Sequence, residues 1–522
     1  MSYRVVIPTA GIGSRLEDLT KYINKALVSV ANRPIISHLI EQFPKDCEFV
    51  IALGYKGKLV RDFLELSYPN RVFHFEKVYP YEGEGSGLGH SLLACEKHLQ
   101  QPFVFLSCDT LVKEAIPKPN QNWMGYAHRM DLTSYRTLRV INNTVSEICE
   151  KKIVKDKLNA YIGLAGIHDY QKFWQAMHSG ESLAIEQGES YGMKSILEDC
   201  DVSAYQFSWL DTGNIKSIKV AREEYSNPNE PNILEKGNEA IWFVGDTVIK
   251  YSDDVNFISN RIKRVNQLKG FVPNISVYRP NMYCYKKVKG KVLSEVVDLP
   301  IFENLLTECK VFWLKSTLNA EESRQFKDNC LKFYKNKTFE RVELFYKNFD
   351  KKDNIRSING ETTPLLKDLL NQIDWEFLSK GLAGRFHGDF HFENILFIED
   401  TKKFKFLDWR QDFCGDLLVG DIYYDLAKLM HGLIVNHGII VSNQYNVYWE
   451  GNDIKYHFNR KPNLVECEKR FAAWIQENNY DLKKVKILTA IIFLNIAALH
   501  HYPYSLLLYG LGKSMLNIEL NR

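Results

Sequence analysis

The 10 cysteines of this 522-residue chain are scattered, with no Cys-x-x-Cys pair and no cluster with histidine at zinc-ligand spacing. That excludes a disulfide scaffold and a structural zinc site, and reads as reduced, mostly packed thiols of a cytosolic protein. There is no dense basic run, and the formal net charge is only +3, so charge gives no pointer to nucleic acid. No apolar stretch has the roughly 20 residues that a bilayer span needs. The most apolar one, Ile487 to Leu499, carries Asn495 and predicts a buried helix. Met1-Ser2-Tyr3-Arg4 runs straight into Val5-Val6-Ile7, which predicts no signal peptide. Hexapeptide repeats are absent as well. What is there is ordinary globular composition, 45% hydrophobic and 25% charged, at a length that predicts two domains.

Two segments carry the chemistry, and the first opens the chain. Arg4-Val5-Val6-Ile7-Pro8 is a buried-strand signal that turns at Thr9-Ala10-Gly11-Ile12-Gly13-Ser14-Arg15-Leu16. Small residues at Ala10, Gly11 and Gly13 let backbone N–H groups curl around a phosphate, and Arg15 adds a charge-complementary fork. The third glycine of a dinucleotide-binding loop is missing, Leu16 standing there, and so is the G-K-[ST] ending of a P-loop. Lys25 follows in Asn24-Lys25-Ala26-Leu27. Glu82 to Leu92 is a glycine-dense loop that opens a helix and includes Gly87 and Leu88; a flexible surface loop is the plainer account of it. Phe103-Val104-Phe105-Leu106 reads as a strand delivering Asp109 at its C-terminal end, where open parallel sheets bind ligands. Asp211, in Trp209-Leu210-Asp211-Thr212-Gly213, is a second carboxylate able to converge with Asp109 on one magnesium ion. Glu150-Lys151 lies between the two and by itself reads as an exposed ion pair.

The order GxGxRLxxLT…KALxxVxxxPII resembles the signature of the sugar-phosphate nucleotidyltransferases, over roughly residues 1–225. That resemblance implies that Arg15 and Lys25 contact the phosphates of a nucleoside triphosphate and that Gly87 and Leu88 lie against the base. It also implies that Glu150 and Lys151 sit near the acceptor and that Asp211 belongs to a W-x-D-x-G element. One departure is Asn24, where the family usually has proline. The implied reaction is attack by a phosphate monoester oxygen on the α-phosphorus with loss of pyrophosphate. The short form, without a repeat tail, resembles phosphocholine cytidylyltransferases and simple sugar-1-phosphate enzymes.

The second segment is His387-Gly388-Asp389-Phe390-His391-Phe392-Glu393-Asn394, followed by Leu407-Asp408-Trp409-Arg410. Phosphoryl transfer needs a carboxylate to orient and deprotonate a hydroxyl, and oxygen donors to hold magnesium on nucleotide phosphates. Asp389 supplies the first, Asn394 and Asp408 the second. HGDxHxxN followed by LDW resembles the aminoglycoside and choline kinase branch of the protein-kinase-like fold. In that light Lys250, within Thr247-Val248-Ile249-Lys250-Tyr251, matches the strand lysine that holds the ATP phosphates; the other account is an edge lysine facing water. Two departures accompany it: Glu235-Lys236-Gly237-Asn238-Glu239 lacks a phosphate-covering glycine pattern, and Phe257 to Val265 holds no glutamate to pair with Lys250. Asp425 matches a buried aspartate that steadies the catalytic loop, and Asp421 fits an N-cap. The aromatic hairpin signal from Tyr445 to Glu450 reads as a packed face rather than a cage for a quaternary ammonium.

The resulting expectation is an α/β N-terminal domain, doubly wound with a mainly parallel sheet, over 1–225. A proline-interrupted linker at 226–232 precedes an α+β kinase-like domain over 233–522, with a small lobe to about 290. The expected protein is a cytoplasmic bifunctional enzyme using magnesium at both sites, with ATP and a second nucleotide, CTP or UTP. It would phosphorylate a sugar, polyol or amino alcohol and couple the product to a nucleotide for surface-glycan synthesis. Its partners would be small molecules, not nucleic acid or membrane. Two alternatives stand beside it: a transferase with a non-catalytic nucleotide-binding module, and a choline or ethanolamine kinase–cytidylyltransferase.

Overall fold

The computed structural model describes residues 3–152, 157–227 and 237–521. The chain forms two compact units, Met1–Val255 with Ser276–Tyr285, and Asn256–Ile275 with Lys286–Arg522. Of the linker expected at 226–232, Ser226 and Asn227 are described and the rest lies outside the described residues, as do Glu235 and Lys236.

The first unit is built on a nine-stranded sheet of β1 (Arg4–Pro8), β2 (Glu48–Leu53), β3 (Phe73–Lys77), β4 (Phe103–Leu106), β6 (Trp123–Ala127), β7 (Thr137–Ile141), β8 (Thr144–Cys149), β9 (Leu158–Ile167) and β10 (Ser203–Gln206). Their order is β3-β2-β1-β4-β9-β6-β10-β8-β7. Val5, Val6 and Ile7 are all fully buried, because a central parallel strand is covered on both faces and so reads as an unbroken apolar run. The expectation of a mainly parallel sheet needs correction. Parallel pairing is confined to β3-β2-β1-β4 and to β6-β10, whereas β9 runs antiparallel to β4, β6 and β7. A short ladder of β5 (Thr110–Val112) and β11 (Trp209–Asp211) stands apart and pairs Thr110 with Asp211. Helices α1 (Gly57–Ser67), α2 (Leu88–Cys95), α3 (Glu181–Gln187) and α4 (Glu189–Asp199) flank the sheet elements.

The same unit contains a four-stranded sheet, β12 (Glu239–Val244), β13 (Thr247–Ser252), β14 (Ile275–Arg279) and β15 (Met282–Lys286), in the order β12-β13-β15-β14. This is the sheet that the sequence placed after the linker. Trp242, fully buried, meets Phe63 of α1 edge-on at 5.2 Å and donates to Ser29 Oγ at 3.0 Å. Tyr251 donates its hydroxyl to the Tyr22 carbonyl at 2.7 Å.

The second unit is predominantly helical. Helix α5 (Val255–Arg264) leads into it, and it holds α6 (Lys337–Phe349), α7 (Ile422–Ile434) and the hairpin of β16 (Ile395–Ile398) and β17 (Lys403–Phe406). Of the segment expected as a buried helix, Ile487 to Ala497 lies in the helix Leu482–Ala497, whereas Leu499 falls past its end and is exposed. Asp421 caps α7 by accepting from Tyr423 N at 3.0 Å, as its sequence context suggests. Among the described residues, no helix is long and apolar enough to cross a membrane.

Trp242→Ala removes the indole that seats the small sheet on α1, a truncation that costs about 3–5 kcal/mol in a buried setting. The first unit's unfolding midpoint in calorimetry is expected to fall by several degrees; an unchanged midpoint would show that this contact contributes nothing.

Candidate active sites

In the first unit the loop after β1 is pinned from three sides. Tyr55 N donates to Ala10 O at 2.9 Å, and Thr9 both donates its N–H and its hydroxyl to Ala52 O. Asn24, fully buried, donates its amide to Thr9 O and Tyr55 O and accepts from Ala26 N. Its φ of −74° is one that proline adopts, so asparagine in place of the expected proline leaves the backbone path open while the side chain adds three ties. Gly13, at φ +73°, turns the chain into the 3-10 segment Ser14–Thr20 that carries Arg15. Gly11 is exposed.

These ties bring the predicted residues together. Lys25 Nζ lies 3.4 Å and Arg15 Nη2 3.9 Å from Asp109 Oδ2, and Ser107 donates to Asp109 Oδ1 at 2.6 Å. Burial alone would raise the Asp109 pKa, but Lys25, Ser107 and Arg15 outweigh it and hold the group at about 2. The Thr212 N–H and hydroxyl reach Asp109 O, which sets Asp211 beside it. A Cβ on Gly213 would lie 3.0 Å from Asp211 Oδ1, 3.1 Å from Arg15 Nη2 and 3.2 Å from Asp109 Oδ2. Both carboxylates and the guanidinium thus surround one point that only glycine leaves open. Asp211 is itself oriented by Gly213 N, Tyr135 Oη and Ser217 Oγ.

Other predicted residues fall differently. Gly87 precedes α2 in extended backbone, and a Cβ there would come 2.5 Å from Ile185 O, so close packing on α3 is enough to require glycine. Leu88 packs against Gly188. Glu150 does not pair with Lys151, which is exposed; it accepts from Arg136 at 3.0 Å and from Lys194. Missed altogether was Glu189 at the start of α4, 2% exposed, with no hydrogen-bond partner for Oε2 among the described residues. Burial pushes its carboxyl up to about 7, with Arg136 and Tyr161 pulling the other way. Nothing in a Gly-Glu-Ser tripeptide marks such a residue.

Lys250 is 7% exposed on β13, an interior strand between β12 and β15, which overturns the account of it as an edge lysine facing water.

In the second unit, Ile395 pairs with Phe406 in the β16–β17 hairpin and Leu407 N donates to Asn394 O at 2.7 Å, so Asn394 and Asp408 emerge at the same end. The Asn394 amide donates to Asp389 O and Oδ2 at 2.9 and 3.1 Å. Asp425, fully buried, accepts from the N–H groups of His387 and Gly388 at 2.6 and 2.7 Å and from Trp313 Nε1 at 3.1 Å. It holds the loop as its sequence position suggests, and burial lifts its pKa to about 6. Asp389 meets Lys428 of α7 at 2.8 Å and His391 at 3.5 Å. Burial would raise its pKa, yet these two cations keep it well below the usual carboxylate range. On α5, where a glutamate was sought, Arg261 instead pairs with Asp408 at 3.0 Å. Neither Lys428 nor Arg261 stands in a motif, which is why sequence reading passed over them.

No protein-family model matches the chain. It is 22% identical over 260 residues to the bifunctional protein GlmU of Methanococcus maripaludis, covering 47% of this chain and 60% of that protein. It is 28% identical over 110 residues to the UTP–glucose-1-phosphate uridylyltransferase AglF of Haloferax volcanii, covering 21% of this chain and 44% of that one. The N-terminal part of the chain resembles the sugar-phosphate nucleotidyltransferases. The chain spans 60% of the length of the GlmU proteins it matches. Among solved structures, the CTP:phosphocholine cytidylyltransferase of Streptococcus pneumoniae aligns at 19% identity and TM-score 0.36, over 43% of this chain and 100% of that one.

A nucleotidyltransferase site takes magnesium with its nucleotide, and the donor sets can be tested for that. No group of three or more His, Cys, Asp or Glu poised for a metal occurs among the described residues. Magnesium that arrives on phosphates keeps several waters and needs only one or two carboxylates, which the convergent Asp109 and Asp211 fit.

Glu189 gives a pH signature. Its folded-state pKa of about 7 lies above its ordinary 4.5, so the stability it contributes is complete below 4.5 and lost as pH rises through about 7. Thermal unfolding of Glu189→Gln and the parent between pH 4.5 and 8 should show a smaller fall with pH in the variant; parallel curves would place the carboxyl at its ordinary pKa.

Proposed function

We propose that the chain is a bifunctional enzyme whose first unit transfers a nucleotidyl group to a phosphate monoester and whose second unit makes that monoester with ATP. The observation that carries the first half is the convergence of Arg15, Asp109 and Asp211 on one point, with Lys25 on Asp109, together with the similarity of the N-terminal part to nucleotidyltransferases. Lys25 and Arg15 neutralise charge on the triphosphate as a monoester oxygen bonds to the α-phosphorus, the bond to the β-phosphate breaks, and pyrophosphate leaves. Magnesium held by Asp109 and Asp211 would supply further charge neutralisation. Ala10, Gly11 and Gly13 would line the phosphates, Gly87 and Leu88 the base, and Glu150 and Lys151 the acceptor.

The second half rests on Asp389, Asn394 and Asp408 standing together. Lys250, buried on β13 of the first unit, is matched to an ATP lysine by its sequence pattern alone. Asp389 orients the acceptor hydroxyl, whose oxygen bonds to the γ-phosphorus while the bond to the bridging oxygen breaks, giving ADP. The proton passes to Asp389 and on to solvent. Asn394 and Asp408 would hold the nucleotide's magnesium. The nucleotide-activated product would serve surface-glycan synthesis in the cytoplasm, a role supported by similarity to the low-salt glycan biosynthesis nucleotidyltransferase Agl11 of Haloferax volcanii, 30% identical over 115 residues.

The test is incubation of the pure protein with magnesium, ATP, CTP, UTP and a panel of hydroxylated acceptors, read by mass spectrometry. A nucleoside diphosphate-linked product is expected, lost in both Asp109→Ala and Asp389→Asn. Asp389→Asn should still convert a pre-phosphorylated acceptor. Undiminished product from an unphosphorylated acceptor in Asp389→Asn would remove the phosphotransferase half.

A further inference from the structure

Around Asp389 the second unit gathers more positive charge than one carboxylate calls for. Lys428 Nζ already sits 2.8 Å from Asp389 Oδ1. Arg410 lies against the same loop: its N–H donates to His387 O at 2.9 Å, and its Cβ is 2.5 Å from where a Gly388 side chain would begin. The Arg410 guanidinium packs on the Phe333 ring at 4.8 Å, and Lys337 Nζ, from the first turn of α6, packs on that ring at 4.3 Å. Phe333 in turn meets Tyr424 edge-on at 4.8 Å, one helical turn before Lys428 on α7. Arg341 follows Lys337 by one turn on α6.

Among the described residues, Lys337, Arg341 and Arg410 form no ion pair with a carboxylate, and Arg410 Nε donates to the Asp412 carbonyl at 3.0 Å. Like charges gathered at one place, with their stems packed on aromatic rings, repel one another unless an anion joins them. Burial, then Arg410, Lys428 and Arg341, push the Lys337 ammonium down to about 7. A trimethylammonium or primary amine acceptor would add a further cation to this set. A carboxylate or phosphate would relieve it, and guanidinium with ammonium is the pairing that suits either.

We infer that the acceptor of the second unit is an anionic hydroxy compound, whose carboxylate or phosphate group is held by Lys337 and Arg410 while its hydroxyl faces Asp389. This rests on the phosphotransfer reading of that unit. The group transferred is unchanged: the hydroxyl oxygen bonds to the γ-phosphorus, its proton leaves, and ADP departs. Lys337 and Arg410 bind the acceptor and take no part in the bond exchange. The inference selects among the acceptors otherwise open, favouring acids over neutral polyols and both over choline or ethanolamine.

The test compares matched acceptors with magnesium and ATP by ADP release: glycerol against glycerate and glycerol phosphate, erythritol against erythronate, and choline as the cationic case. The acids are expected to show kcat/KM at least about tenfold above their neutral counterparts. Glycerate and glycerol phosphate separate a carboxylate from a phosphate as the group held. Lys337→Met and Arg410→Met should each raise the acceptor KM by about tenfold and leave the ATP KM within about twofold, with Arg410→Lys recovering part of the loss. Circular dichroism checks that each variant is folded, and calorimetric titration of glycerate or glycerol phosphate reads binding without turnover. A preference for glycerol, erythritol or choline overturns the inference alone. A rise in the ATP KM instead of the acceptor KM also overturns it, since the cations then serve the nucleotide. ADP release from no acceptor above the Asp389→Asn background ends both the inference and the phosphotransfer reading.

Discussion

Each candidate site is arranged around a carboxylate, partly screened from water, that cations at its side hold ionised. Asp109 has Lys25 and Arg15, and Asp389 has Lys428 and His391, whose imidazole is pushed up to about 9, burial notwithstanding, by Asp389 and Glu393. The requirement reaches into the backbone, because the segments that carry the cations have to be fixed against the carboxylates. In the first unit one buried amide, Asn24, fixes the start of the Lys25 segment to Thr9 and Tyr55. In the second, one buried carboxylate, Asp425, takes two consecutive N–H groups of the Asp389 loop. Each is a single polar side chain that satisfies several backbone groups at once, which is how a polar loop can be buried without unpaired donors.

What was legible in the sequence was what lies close together along it. Arg15 follows its glycine loop directly, Asp109 and Asp211 sit at strand ends, and Asn394 and Asp408 flank a single hairpin. Residues that enter a site from a distant helix left no such mark. Lys428, Lys337 and Glu189 are charged side chains on helices, and a helix shows charge on its exposed face as a matter of course, so only tertiary packing reveals that these three point inward. Lys250 is the converse: an interior strand position made a lysine conspicuous, and burial on both sides of β13 agrees with the pattern. Gly87 shows a further limit. A glycine required for close helix packing and a glycine required by a ligand are the same letter.

The mixed sheet has a similar cause. Apolar runs such as Val5-Val6-Ile7 and Phe103-Val104-Phe105-Leu106 identify buried strands, yet direction depends on the connections between them. β9 reverses because Gly166 and Ile167 return alongside Val104 and Phe103 without a helical crossover. The division of the chain follows packing in the same way. After Tyr225 the described residues Ser226 and Asn227 are exposed. The apolar face of the next sheet, with Trp242 against Phe63 and Tyr251 on the Tyr22 carbonyl, belongs to the core already built. Polarity along a chain reports exposure of a segment, and a core can close across it.

Helix α5 makes the point about charge most directly. A phosphotransfer site of the proposed kind calls for a glutamate there, to steady the strand lysine. This helix presents arginines instead: Arg261 on Asp408, and Arg264, 1% exposed, donating to the Phe386 carbonyl at 2.5 Å and to the Arg410 carbonyl. Its role is therefore to neutralise and brace the loop that carries Asp389 and Asp408, with Trp409 Nε1 donating back to Arg261 O at 3.0 Å. A carboxylate compensated in this way keeps its position without a ligand. The same economy is visible at Asp109, which meets Lys25 and Arg15 before it meets a triphosphate. In both places the protein's own cations hold the geometry that a metal-bearing substrate would take over.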